Sequence, residues 1–179
     1  GIAAFPGNNI GYFGPYEEVL RYGGKKGTHW AGCGAGSACI GVEADGKIKG
    51  CPSLPSDGYT GGHFPADALA DVVSAAPELT HVAQRTRADL WGYCASCYYA
   101  DICKAGCTWT AQVLMGRGGN NPYCIHRQLA YEKEGLREVL VKVEAAPGEP
   151  FDHGRFETRL EPLGPAPKAP SVLGVPLAE

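Results

Sequence analysis

Residues 94–107, CASCYYADICKAGC, put four cysteines into fourteen positions with the spacing C-x2-C-x5-C-x3-C. Cys33, Cys39, Cys51 and Cys124 bring the total to eight. Thiols at this density serve one of three chemistries. An even count fits disulfides, as in small secreted scaffolds. Yet C-x2-C pairs make poor long-range staples, and no N-x-S/T glycosylation sequon accompanies them. Zinc takes C-x2-C pairs, ordinarily two of them across a longer gap, whereas this chain has one. Iron–sulfur clusters need several soft ligands converging on a small volume, and short Cys loops supply them with backbone N–H groups near the sulfurs. Eight thiols make two four-ligand sites with none left over. Grouped by sequence neighbourhood, Cys94, Cys97, Cys103 and Cys107 would share one site and Cys33, Cys39, Cys51 and Cys124 the other. Spacing alone leaves that grouping open.

The elements that must position these thiols are short. Pro15 to Tyr22 has a proline at the start, early acids and a late Arg21, which predicts a helix ended by Gly23-Gly24. Residues 40–51, IGVEADGKIKGC, predict a β-hairpin turning at Asp45-Gly46, a dipeptide suited to a two-residue type I′ turn. That hairpin would carry Cys39 and Cys51 at its two ends and bring them together. Residues 65–90 predict two helices broken at Pro77, with Leu69, Val72, Val73, Leu79 and Val82 inward. Asn121-Pro122 predicts an N-cap and first-turn proline opening a helix over about 122–144. Cys124 would lie in its first turn, where the helix dipole favours a thiolate. Leu129, Leu136, Leu140 and Val143 would form its apolar stripe, with Gly135 a weak spot. Residues 155–160 could form one late strand, and 161–179 read as a tail.

The 179 residues suffice for one ordinary domain or two small ones. Their 44% apolar content permits a core, but 26 glycines and 14 prolines make much of the chain loop and turn. A fold held only by side-chain packing is therefore not expected. The formal charge of −3 gives no electrostatic footprint for nucleic acid. The apolar runs fall far short of the roughly 20 residues of a membrane span. The expected class is a small, irregular α+β domain with a β-hairpin and several short helices.

One arrangement goes further. Cys33-x12-Gly46-x4-Cys51, then Cys94-x2-Cys97-x5-Cys103-x3-Cys107, then Cys124, resembles the seven-cysteine SPASM domain. This is the auxiliary-cluster region at the C-terminus of radical S-adenosylmethionine (SAM) enzymes that modify peptides and proteins. Cys39 stands between the first two cysteines, as in members with two fully ligated clusters. The resemblance covers about residues 30–130 and implies two [4Fe-4S] clusters with interleaved ligands. Auxiliary cluster I would take Cys33, Cys39, Cys51 and Cys107, and auxiliary cluster II Cys94, Cys97, Cys103 and Cys124. It further implies electron transfer and substrate-peptide binding as the role. The expected partners are a radical SAM core on the same parent chain or a separate protein, a peptide substrate and an external electron acceptor.

The C-x3-C-x2-C motif that binds SAM and the catalytic cluster occurs nowhere here. The chain alone is thus not expected to cleave SAM, and SAM is expected only in a core domain outside it. Residues 1–29 read as a linker and short helix from an upstream domain, 30–146 as the auxiliary-cluster domain, and 147–179 as a Pro-rich extension. Sulfatase-maturating relatives carry a catalytic Asp after the third cysteine of cluster I. Pro52 stands there instead, so the resemblance points towards maturases of ribosomally made peptides. The expected location is the cytoplasm. The rivals are a structural zinc-binding interaction module and a disulfide-rich secreted domain.

No residue stands out as an acid–base catalyst. His29-Trp30 read as packing at the domain entrance, and His63, His81, His126 and His153 as surface or capping residues without paired metal spacing. Tyr93, Tyr98, Tyr99 and Trp109 read as a water-excluding shell. GRGGNNP (116–122) lacks the Lys-Ser/Thr of a phosphate loop and reads as a turn.

Overall fold

The structure, a computed structural model, describes residues 14–27, 30, 32–148 and 154–164. The expectations for the linker before residue 14, for His29 and His153, and for the tail after 164 fall outside those residues. Within them the chain is α+β, with short helices and two small antiparallel sheets.

Helix α1 spans Glu17–Tyr22 and ends at Gly23, whose φ of 61° is the left-handed cap that glycine accepts at least cost. Pro15 lies one residue before the N-cap Tyr16 rather than inside the first turn. The hairpin forms from β1, Gly41–Val42, and β2, Lys47–Lys49, paired Gly41 to Lys49 and Val42 to Ile48. Its turn differs from the expected type I′. Gly46 N–H donates to the Glu43 carbonyl and only Gly46 has a positive φ (93°), so the connection is a type I turn closed by a left-handed glycine. The Asp45 carboxylate accepts from the Lys47 N–H, which holds Asp45 out of the conformation a type I′ turn would need.

A third strand, β3 (Thr60–His63), pairs with β2 and was not foreseen, because TGGH has almost no β propensity. Its glycines are there for the helices. A Cβ on Gly61 would run into Leu79 and Ala76, and one on Gly62 would meet Val72. Helices α2 (Leu69–Ala75) and α3 (Pro77–Gln84) can therefore lie directly on the strand. Ile48, Val72, Ala76 and Leu79 form the core of this half, with Ile40 at its edge. Val82 is buried too, but Leu69 (42% exposed) and Val73 (37%) are not part of the inward face.

A three-residue helical turn, Arg87–Asp89, is closed by a Thr86–Asp89 capping box. The cysteine run then folds as two single-turn helices, α4 (Tyr93–Ser96) and α5 (Ala100–Cys103), followed by α6 (Thr108–Met115). Leu90, Ala100 and Ala105 make a second small core, with Cys94 and Ala95 against it.

The long helix expected over 122–144 is two elements. Helix α7 runs Ile125–Lys133, and β4 runs Leu136–Glu144 and pairs along its length with β5, Arg155–Pro162. Gly135, with φ of 71°, stops the helix. Leu136, Leu140 and Val143 carry helical spacing by coincidence, while Val139, Val141 and Val143 alternate as a strand requires. Asn121 is not the N-cap: its side chain accepts from the Tyr123 N–H, and Cys124 takes the N-cap position.

Gly61→Val should lower unfolding stability by about 1–3 kcal/mol, because Leu79 and Ala76 occupy the added volume. Urea denaturation followed by circular dichroism measures it.

Candidate functional site

The eight cysteines are all free thiols, and the chain places them in two neighbourhoods. In the first, Cys33 lies within electrostatic reach of Cys107, Cys51 and Cys39. The segment 34–39 curls so that Gly36 N–H reaches both the Cys39 and the Gly50 carbonyls, which brings Cys39 beside the residue preceding Cys51. The loop after Cys51 is held by Lys49. That side chain is wholly buried, with Nζ bonded to the Leu54 carbonyl and 2.6 Å from Glu43 Oε1. Glu43 in turn accepts from the Ser56 hydroxyl.

In the second neighbourhood Cys103 faces Cys124, Cys94 and Cys97. These four, with Tyr93, Tyr99, Ala100, Ala105 and His126, line a small enclosed cavity of about 20 Å3. The donor set suits a soft metal centre: sulfur, rings and methyl groups, with no carboxylate. Among the described residues, no three His, Cys, Asp or Glu side chains converge tightly enough to hold a single metal ion. The thiols are neighbours around a space rather than ligands already closed on a point, as four cysteines on zinc, each at about 2.3 Å, would be.

What separates Cys103 from Cys107 is backbone handedness. Lys104 (φ 50°), Ala105 (61°) and Gly106 (59°) are consecutive left-handed residues. An i, i+4 pair on a right-handed helix shares one face. Here a turn of the opposite hand intervenes, and Cys107, 7% exposed, emerges beside Cys33. Left-handed geometry costs roughly 1–2 kcal/mol for each residue with a Cβ. Lys104 Nζ to the Ala83 carbonyl (2.7 Å), Arg85 to the Lys104 carbonyl (3.1 Å) and burial of Ala105 offset it.

Backbone N–H groups lie against three of the sulfurs. Ala35 N–H donates to Cys33 Sγ at 3.4 Å, Asn121 N–H lies beside Cys94, and Gly106 N–H, which donates to the Cys103 carbonyl at 2.9 Å, lies beside the Cys103 thiol. Such bonds favour the thiolate, the form that binds metal. Burial works against them and prevails without metal. It pushes the Cys94 thiol up to about 11, and burial with the neighbouring Cys124 and Cys94 pushes Cys103 up to about 12. Burial also raises Cys33.

Arginines tie the run down. Arg87 donates to the Ala95 and Cys97 carbonyls and pairs with Asp101 at 2.7 Å. Arg127, 2% exposed, joins Asn120 Oδ1, the Asn121 carbonyl and the carboxylate of Glu138 on β4, and lies over the Tyr93 ring. These residues carry no spacing signal and were not foreseen. His126, read as a surface or capping residue, stacks edge-on with Tyr99 at 4.9 Å and lines the cavity of the second neighbourhood. Tyr98, 85% exposed, stands outside any shell, whereas Tyr93 and Tyr99 line the cavity. His81 stacks on Tyr59 and bonds the Glu78 carbonyl. Trp30 packs with Glu17 and Arg21 of α1, and the 116–122 loop wraps Trp91, whose Nε1 donates to the Gly118 carbonyl at 2.8 Å. Pro52 packs against Gly41 of the hairpin.

No family model, curated protein or solved structure matches this chain.

Two outcomes follow from this geometry. In the metal-free chain at pH 8, Cys39 should alkylate at least tenfold faster than Cys94 and Cys103, whose raised pKa values leave little thiolate; mass spectrometry after a timed iodoacetamide pulse reads the order. Arg127→Met should cost about 3–5 kcal/mol in urea denaturation, since it strands the buried Glu138 carboxylate.

Proposed function

We propose that this chain is a SPASM-type auxiliary domain carrying two [4Fe-4S] clusters. Cys33, Cys39, Cys51 and Cys107 would hold auxiliary cluster I, and Cys94, Cys97, Cys103 and Cys124 auxiliary cluster II. One observation carries the reading: the thiols divide into two neighbourhoods of four, and Cys107 sits apart from the three cysteines that precede it. The same crossing of a ligand from one run to the other site occurs in two-cluster ferredoxins. N–H groups against sulfur and a lining without carboxylates support it further.

When bound, such clusters supply one-electron acceptors whose potential follows hydrogen bonding, charge and solvent exposure. The chain's own residues would set those terms: Ala35, Gly106 and Asn121 through their N–H groups, and Tyr93, Tyr99 and His126 by keeping water out. In this reading the domain serves a radical SAM maturase of a ribosomally made peptide, working in the cytoplasm. The SAM-binding core would lie elsewhere on the parent chain or on a partner. The domain would help bind the substrate peptide and pass an electron onward to an external acceptor. Among the described residues no helix is long and apolar enough to cross a membrane.

Anaerobic purification followed by iron and sulfide assays tests this, with about eight of each expected per chain. A colourless protein with stoichiometric zinc, or four mapped disulfides, would sink it. Cys107→Ala should disturb the centre held by Cys33, Cys39 and Cys51 and spare the other, leaving roughly half the iron. Loss of the Cys94–Cys97–Cys103 centre instead would overturn the ligand assignment.

A further inference from the structure

Arg85 stands where the two thiol neighbourhoods meet. It follows α3 directly, and its guanidinium reaches forward into the cysteine run. Nη1 donates to the Lys104 carbonyl at 3.1 Å, and Nη2 to Thr108 Oγ1 at 3.0 Å. Those acceptors belong to the first left-handed residue and to the residue after Cys107, so one planar fork spans the point where the chain passes from one neighbourhood to the other. Gly118 leaves room for it, since a Cβ there would come within 2.9 Å of Nη2. Its charge lies within reach of Cys33 in one neighbourhood and Cys94 in the other. Asp89 and Tyr59 also face it, and the Asp89 carboxylate is itself held by the Thr86 N–H and hydroxyl. Burial draws the guanidinium below its ordinary value, but an arginine keeps its proton in proteins.

We infer that Arg85 is a positioning residue shared by both centres: its fork holds the left-handed turn that sends Cys103 and Cys107 to different sites, and its charge acts on the two sites together. This rests on the proposed cluster reading. A reduced cluster carries one more negative charge than an oxidised one, so a shared cation favours reduction of both. Lysine would keep the charge but cannot place two donors at fixed separation on Lys104 and Thr108.

The test uses this 179-residue chain, unsubstituted as the parent and with Arg85→Gln and Arg85→Lys, all prepared anaerobically. Each is followed by iron content, by the midpoint potentials of the two centres in an EPR-monitored titration, and by the rate of iron release to a ferrous chelator. Arg85→Gln should move both potentials to more negative values. Arg85→Lys should keep both near those of the parent and release iron at least twofold faster. Movement of one potential alone overturns the shared charge, and so does an equal shift in both variants. Release from Arg85→Lys at the parent rate overturns the clamp, and decides the matter even if Arg85→Gln holds no iron. A parent chain without iron instead overturns the cluster reading on which the inference stands.

Discussion

The structure depends on one turn of the wrong hand. Lys104, Ala105 and Gly106 reverse the screw of the backbone between two cysteines only four positions apart. A right-handed continuation would stack Cys103 and Cys107 on one face and keep the run to itself. With the reversal, Cys107 joins the hairpin half while Cys94, Cys97 and Cys103 stay with Cys124. One thiol of the cysteine run is thereby placed among those of the hairpin half. Strain of this kind persists only where surrounding contacts over-determine it. Here Lys104 and Arg85 hold the turn from α3, and Ala105 is buried beneath it.

The rest of the fold has little else to hold it together. Among the described residues its hydrophobic cores are two small groups, one around Ile48 and Leu79 and one around Leu90 and Ala100. Cores this small bury too little apolar surface to fix long loops unaided. Charged side chains take over part of that work, Lys49 and Arg127 from buried positions and Arg87 from the surface. Lys49 fixes the loop after Cys51, Arg87 the turn between α4 and α5, and Arg127 ties the Cys124 end to β4. Lys49 donates to the Leu54 carbonyl, Arg87 to the Ala95 and Cys97 carbonyls and Arg127 to the Asn121 carbonyl, groups that a loop would otherwise leave unsatisfied. Cys51, Cys97 and Cys124 lie on or beside the segments these ties hold.

Much of this was legible in residue order. Pro77 split α2 from α3, Gly23 ended α1, and Asp45-Gly46 marked a hairpin that brings Cys39 and Cys51 close. The failures have definite causes. Strand β3 was invisible because its glycines serve the helices packed on it, not its own propensity. Helix α7 was drawn too long because Leu136, Leu140 and Val143 satisfy a helical period while belonging to a strand. His126, Arg85 and Arg127 gave no signal, since a single basic residue has no period and its partners lie on other elements.

By itself the sequence determined the chemistry on offer: eight soft ligands, loops too rich in glycine to pack unaided, and short elements between them. It also determined that Cys39 and Cys51 meet, because a hairpin's ends are brought together by local geometry alone. Which thiols share a neighbourhood was decided only in three dimensions. Spacing along the chain treats Cys103 and Cys107 as partners, and nothing in residue order fixes the hand of three consecutive backbone steps. That hand is set by contacts from α3, about twenty residues earlier in the chain, which make an otherwise costly conformation the stable one.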